Sequence, residues 1–290
     1  MTTQFTTQFL DVSAGRLAYD DSATNNPDAL GRSLVICAPS MGDVRAEYRF
    51  LAPQLVAAGY RVVTLDVRGH GESSVGWPDY SVAAIGADML ALARALGDGK
   101  SVYLIGDSMA GGAAVWAAAE APNRVRGMIL IDPVVRDMGP LWMGRLLSAV
   151  LFARPWGPSI WTRYVRMLYP TVRPADFSDY LTHLRANLRE LGRITALQHM
   201  IAASKAASEA RLDQVTAPTL VIMGEKDPDF RHPEREAQFV AGRLHGQMRM
   251  MVGAGHYPHA EMPERTVPEI VAFLNEVNAT LAAAPALVEG

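Results

Sequence analysis

Apolar residues in this chain fall in short runs, and between the runs lie longer segments in which they recur at helical spacing. The first two runs, "TTQFLDVS" and "GRLAYDDS", lie close together and predict an opening antiparallel pair. Six more follow at "SLVICAP", "RVVTLDV", "SVYLIGD", "RGMILIDP", "PTLVIMGE" and "QMRMMVGAG". They are rich in Val, Ile and Leu and lack clean alternation, as strands covered on both faces should be. Helical patterning spans 49–58, 82–96, 111–121, 233–244 and 263–283, while "ATNNPDALGR" reads as a polar loop. The predicted architecture is α/β, a mostly parallel central sheet with helices over both faces. No fixed-period repeat is present, and the one compositionally biased tract is the Ala-rich tail "NATLAAAPALVEG".

One interval breaks the rhythm. Residues 134–215 hold no strand candidate and predict a helical cap inserted after the sixth strand, which leaves 1–133 and 216–290 as the core domain. Three of the five tryptophans, Trp142, Trp156 and Trp161, sit there with Met143, Leu146, Leu147, Phe152 and Met167. The favoured reading is the internal core of a helical subdomain; the sharper one is the wall of an apolar substrate pocket. The interval is also cationic, with Arg145, Arg154, Arg163, Arg166 and Arg173 and no acid between Asp137 and Asp176. A solvated face with arginine stems lying over apolar surface is the plain explanation. Steering of an anionic substrate and contact with an anionic membrane are the alternatives.

Composition narrows the partners. A formal net charge of −3 gives no concentrated basic face for phosphate backbones, so nucleic acid is set aside. Cys37 is the only cysteine, which excludes an internal disulfide and a cysteine metal set; its place in "SLVICAP" predicts a buried, inert thiol. The N-terminus lacks a basic start followed by an apolar stretch, and no apolar run approaches the ~20 residues of a membrane span. A cytoplasmic protein is the expectation.

"YLIGDSMAGG" raises the question of chemistry. Ser108 follows a strand and precedes a Gly/Ala-rich helix start, the strand–turn–helix context of a nucleophile elbow. Small flanks are needed because strand and helix come close, and Gly106 and Ala110 supply them in a G-x-S-x-A pattern. A serine hydroxyl then needs a base, and the base a carboxylate. Asp227 lies past the strand in "LVIMGEKDPDF" and His256 past the last strand in "GAGHYPHAEMPE", both at strand C-terminal ends where open parallel sheets form sites. Asp229 and Asp132 compete for the acid's place, and His259 and His70 for the base's; "RGHGES" around His70 reads as a tight turn.

Taken together, "CAPSMGDVRAEYRFLAPQLVAAGYRVVTLDVRGHGES", "LIGDSMAGG", "VRGMILIDP", "APTLVIMGEKD" and "GAGHYPHAEMPE" resemble the α/β-hydrolase family over nearly the whole chain. The resemblance implies Ser108 as nucleophile, His256 as base then acid, and Asp227 as the orienting carboxylate. It also implies an oxyanion hole of backbone N–H groups, from Met109 and from the loop after the third strand, where Met41 is the candidate donor. That loop has Pro39-Ser40 where many relatives carry His-Gly. Trp142, Trp161 and Tyr257 are candidate pocket residues. The expected reaction is cofactor-free, metal-free hydrolysis of a small apolar carboxylic ester, falling off as pH drops through roughly 6 to 7 with protonation of the histidine. C–C bond hydrolysis, lactonase or amidase action, acyl transfer and perhydrolysis are open on the same triad, as is a non-catalytic ligand-binding role. Asp107, beside the apex, is expected to make a local structural hydrogen bond.

Overall fold

The computed structural model describes residues 6–283; residues 284–290 of the predicted Ala-rich tail lie outside them. The chain runs β1 (Thr7–Val12), β2 (Gly15–Asp21), β3 (Leu34–Ala38), α1 (Leu51–Ala57), β4 (Arg61–Leu65), α2 (Val82–Leu96), β5 (Val102–Asp107), α3 (Met109–Glu120) and β6 (Val125–Ile131). Five helices follow: α4 (Leu141–Leu151), α5 (Gly157–Met167), α6 (Phe177–Arg189), α7 (Arg193–Ala202) and α8 (Ala206–Glu209). Then come β7 (Thr219–Gly224), α9 (Pro233–Arg243), β8 (Gln247–Met251), α10 (Pro258–Glu261) and α11 (Pro263–Ala283). All eight expected strands form, in the spatial order β1-β2-β4-β3-β5-β6-β7-β8. β1 and β2 pair antiparallel, β2 is antiparallel to β4, and every pair from β4 to β8 is parallel. This is the α/β-hydrolase fold.

Alternation decides which core each strand residue joins. Leu34, Ile36 and Ala38 face one apolar layer with α2, α3 and α9, while Val35 and Cys37 face the other with α1 and α11. The continuous apolar runs are therefore two-faced burial, and Cys37 is fully buried with its thiol pushed well up by desolvation. β8 is the exception: it lies at the sheet edge and is only partly covered. α2 begins at Val82 because the Ser81 hydroxyl accepts the Ala84 N–H. The polar loop contains a single 3-10 turn, Pro27–Gly31, and another, Arg45–Tyr48, precedes α1, which begins at Leu51, two residues later than expected. After β4, Arg68 clasps Asp88 of α2 with bonds of 2.8 and 2.7 Å. Removing one partner of such a buried pair costs about 3–5 kcal/mol, so the "RGHGES" turn is firmly held.

The five helices between β6 and β7 differ among themselves. Trp161, Val165, Leu168, Tyr169, Phe177 and Leu184 pack with Tyr257 and Ala260 of the loop after β8, so α5 and α6 are sealed onto the sheet edge. α4 is not: Ser148 is its one buried residue. The expected tryptophan core of this region is therefore partly corrected. Trp161 is buried, but Trp142, Trp156, Met143, Leu146, Leu147 and Met167 are exposed.

Candidate active site

The turn after β5 is strained where the sequence pattern asked for strain. Ser108 has φ 54° and ψ −120°, a conformation that costs a non-glycine residue about 1–3 kcal/mol. It is held there by its N–H to the Ile131 carbonyl at 2.9 Å, and its own carbonyl accepts from Val134 at 2.9 Å and Gly111 at 3.0 Å. Gly106 is obligatory: a Cβ there would stand 2.3 Å from the Ala110 oxygen. α3 starts at Met109 rather than at 111, so the small residues belong to its first turn. Met109 thus heads the helix, where N–H groups have no partner inside the helix.

Asp107 corrects an expectation. It is fully buried, and neither carboxyl oxygen finds a hydrogen-bond partner among the described residues. Burial, then the charges of Glu47, Asp132 and Asp227, push its carboxyl well above the ordinary range. Burial thus favours its uncharged form.

On the same edge, His256 Nδ1 lies 2.6 Å from Asp227 Oδ2, both side chains buried. Asp229 is 3.9 Å from the same nitrogen; its backbone N–H instead donates to Asp227 Oδ1 at 2.9 Å, and Tyr164 donates its hydroxyl to the Asp229 carboxylate. Asp132 accepts the Gly224 N–H at 2.8 Å, and burial plus the Asp227 charge drive its carboxyl well up. Asp132, Asp227 and His256 place ligand atoms within 4.8 Å of one another, a spacing that a metal could use. The nitrogen facing Asp227 is engaged in the hydrogen bond, however, so the spacing is explained by the acid–imidazole pair. Burial alone would lower the His256 pKa; the charge and hydrogen bond of Asp227, with Asp229 and Glu47, outweigh it and raise it to about 9. His70 and His259 go the other way: burial lowers them to about 4 and about 3, the second helped by Arg49. His70 touches the Arg68 carbonyl in its turn, and His259 stacks on Tyr48.

The loop after β3 is braced by Glu47, Asp43 and Tyr180, which the sequence pattern did not single out, and by Trp161. Glu47, fully buried, accepts the Ser40 N–H at 2.9 Å, and its other oxygen lies 3.5 Å from His259 Nε2. Tyr180 of α6 donates to Asp43, and the Trp161 indole donates to the Gly42 carbonyl at 3.1 Å. Gly42 has φ 73°, and a Cβ there would meet the Trp161 ring at 2.6 Å, so only glycine fits beneath that indole. Burial raises Glu47 to about 8 and Asp43, with the help of Glu47, to about 7. In sequence these acids stand in the polar stretch "GDVRAEYR" and look like surface charges; only the tertiary fold buries them.

Comparison with known proteins meets this geometry at the level of family. The sequence profile described as alpha/beta hydrolase fold matches residues 33–263. The chain belongs to the alpha/beta hydrolase fold family. This hydrolase is similar to a 2-hydroxy-6-oxononadienedioate/2-hydroxy-6-oxononatrienedioate hydrolase of Paraburkholderia xenovorans, 31% identical over 233 residues that cover 76% of this chain and 78% of the relative. A pimeloyl-[acyl-carrier protein] methyl ester esterase of Neisseria meningitidis is 26% identical over 244 residues, 81% of this chain and 90% of that protein. Among solved structures, a hydrolase from Pseudomonas aeruginosa superposes with a TM-score of 0.74 at 25% identity, covering 92% of this chain and 98% of its own.

In this hydrolase a cleft of about 340 Å³ is lined by Met41, Val134 and Asp229, with Met143, Leu147 and Phe230 among its walls; Ser108, Asp227 and His256 are not among its lining residues. Met41 is half-buried at its rim. None of the three expected pocket residues lines the cleft: Trp142 is on the surface, Trp161 lies under Gly42, and Tyr257 is buried and stacked on Tyr169. A larger cavity of about 760 Å³, lined by Arg45, Asp66, His183 and Asn187, contains none of Ser108, Asp227 or His256. Among the described residues no helix is long and apolar enough to cross a membrane.

Proposed function

We propose that this hydrolase cleaves carboxylic esters of small apolar molecules through a Ser108–His256–Asp227 triad. The observation that carries the reading is the buried 2.6 Å pair of His256 and Asp227 on the sheet edge that also holds Ser108 at φ 54°. Ser108 Oγ attacks the ester carbonyl while His256 Nε2 takes its proton; Asp227 holds the Nδ1 proton and favours the imidazolium that forms. The oxyanion is met by the N–H groups of Met109, at the head of α3, and Met41. His256 then gives its proton to the leaving alcohol, and water repeats the cycle on the acyl-enzyme. Asp229 and Asp132 support Asp227 rather than replace it, the first through its N–H and the second as a buried neighbour whose own carboxyl is taken up by the Gly224 N–H. Residues 134–215 act as a cap, and Met143 and Leu147 give the cleft its apolar character.

Reaction with a fluorophosphonate probe and turnover of p-nitrophenyl esters of increasing chain length test this. Labelling at Ser108, its loss in Ser108→Ala, and ester turnover are expected. C–C bond hydrolysis is the second reading, favoured by the 31% identity to the dienedioate hydrolase. Labelling without turnover of any ester would replace the first reading with the second.

A further inference from the structure

α4 carries its apolar face outward. Residues four apart stack along a helix, so Trp142, Leu146 and Val150 make one row and Met143, Leu147 and Leu151 the row beside it. All six are exposed, Trp142 by 68% and Leu146 and Val150 by 60% each. The opposite side rests on α7, where Gln198 donates to the Ser148 carbonyl at 3.2 Å. Exposed Met138 precedes the helix, and exposed Trp156 closes its far end with its indole on the Val150 carbonyl at 3.1 Å. Contiguous apolar surface of this kind marks a place where something other than water sits.

The arginines of this stretch stand without acids of their own. Arg45, Arg49, Arg61, Arg68, Arg136, Arg193, Arg211, Arg243 and Arg249 all have carboxylate partners. Arg145, Arg154, Arg163 and Arg166 are exposed and have none among the described residues; Arg145 and Arg154 reach only the carbonyls of Ala202 and Arg189. The stretch has no acid between Asp137 and Asp176 to supply one. A helix with aliphatic rows, a tryptophan near each end, Arg145 within it and Arg154 just past its end has the composition of an interfacial helix. A second copy of the chain suits the patch less well. A two-fold contact sets the same surface against itself and would bring unpaired arginines toward their own copies.

We propose that α4 and its flanking arginines dock the protein on an anionic phospholipid surface. Met143 and Leu147 belong both to the outward rows and to the cleft wall, so docking sets the cleft mouth against the lipid. A lipid-borne apolar ester then meets the cleft without crossing water; this last step rests on the proposed hydrolytic function, whereas docking itself does not.

The test is co-sedimentation of the full chain with vesicles of equimolar phosphatidylcholine and phosphatidylglycerol, and with phosphatidylcholine alone. Binding to the mixed vesicles, weakened by salt, is expected. Leu146→Gln with Val150→Gln, neither of which lines the cleft, is expected to weaken it on the order of tenfold or more. Neutralising Arg145 or Arg154 to Gln is expected to weaken it about fivefold each. Absence of binding at low salt overturns the proposal, as does undiminished binding by the Leu146/Val150 variant. A concentration-dependent dimer that this variant dissociates, with no vesicle binding, overturns it in favour of self-association. Turnover of a soluble p-nitrophenyl ester, run in parallel, separates the two readings. Turnover without vesicle binding sinks docking alone, and vesicle binding without labelling or turnover sinks the hydrolytic reading alone.

Discussion

The C-terminal edge of the sheet and helix α4 handle polarity in opposite ways. At the sheet edge Asp43, Glu47, Asp107, Asp132, Asp227, His256 and His259 are buried, although water would keep them. On α4, six large apolar side chains are exposed that water would drive inward. Surrounding bonds hold parts of the first arrangement, through the Ser40 and Asp229 N–H groups, the Tyr180 hydroxyl and the Trp161 indole, while Asp107 has no such bond among the described residues. The second has a single supporting helix, α7, and leaves its apolar rows for a partner. Buried polarity thus marks where chemistry is set up, and exposed apolarity marks where something is met.

The comparison is most severely tested by removing the apex of the first region. Ser108→Ala is expected to lower ester turnover by roughly 10⁵–10⁶-fold while leaving the thermal midpoint unchanged or raised, since the strained serine serves no packing purpose. Steady-state kinetics beside a melting curve checks both halves, and a residual rate within tenfold of wild type would remove Ser108 from the chemistry. Next in size is Gly106→Val, which forces a Cβ into the Ala110 carbonyl and should cost about 3 kcal/mol or more in urea unfolding.

pH gives a third test, and its sign follows from the shifts. A His256 raised to about 9 is protonated at neutral pH and cannot act as base, so turnover should rise with pH above the 6–7 window of an ordinary histidine. Asp107→Asn should leave that limb in place, because burial already pushes the Asp107 carboxyl toward its uncharged form. Stability should run the opposite way. Asp43, Glu47, Glu261 and His256 bind protons more tightly folded than unfolded, so the stability they contribute is complete below their unfolded pKa values. It is lost as pH rises through about 7, 8, 7 and 9 respectively. His70 and His259, held neutral, set the other limit below about 6. Melting curves from pH 5 to 10 should therefore decline on the alkaline side, and Glu47→Gln should flatten that decline. The smallest effect belongs to α4: Leu146→Gln with Val150→Gln should change stability by no more than about 0.5 kcal/mol, as exposed positions do. A loss of several kcal/mol would mean that α4 packs inward in solution and would erase the contrast.

Much of the fold was legible before any coordinates. The apolar runs became strands and α2 begins and ends within the expected window, because periodicity and capping are local. Ser108, Asp227 and His256 were legible through their places after strands. The choice of Asp227 over Asp229 was not a local matter, since the two are a turn apart and only the approach of the loop after β8 separates 2.6 Å from 3.9 Å. Glu47 and Asp43 were illegible for a related reason: a polar stretch gives no sign that distant residues will close over it.

The sequence by itself determined the order of strands and helices, the small residues around Ser108 and the absence of acids between Asp137 and Asp176. Tertiary structure alone decided which acids are buried and pushed toward their uncharged forms, which carboxylate meets His256, and that Trp161 faces inward while Trp142 faces out. The physical reason is the same in each case. An apolar row shows that a surface will be covered, and a titratable group shows that charge is available. What covers the row, and how far the charge is removed from water, depends on contacts between residues far apart in the chain.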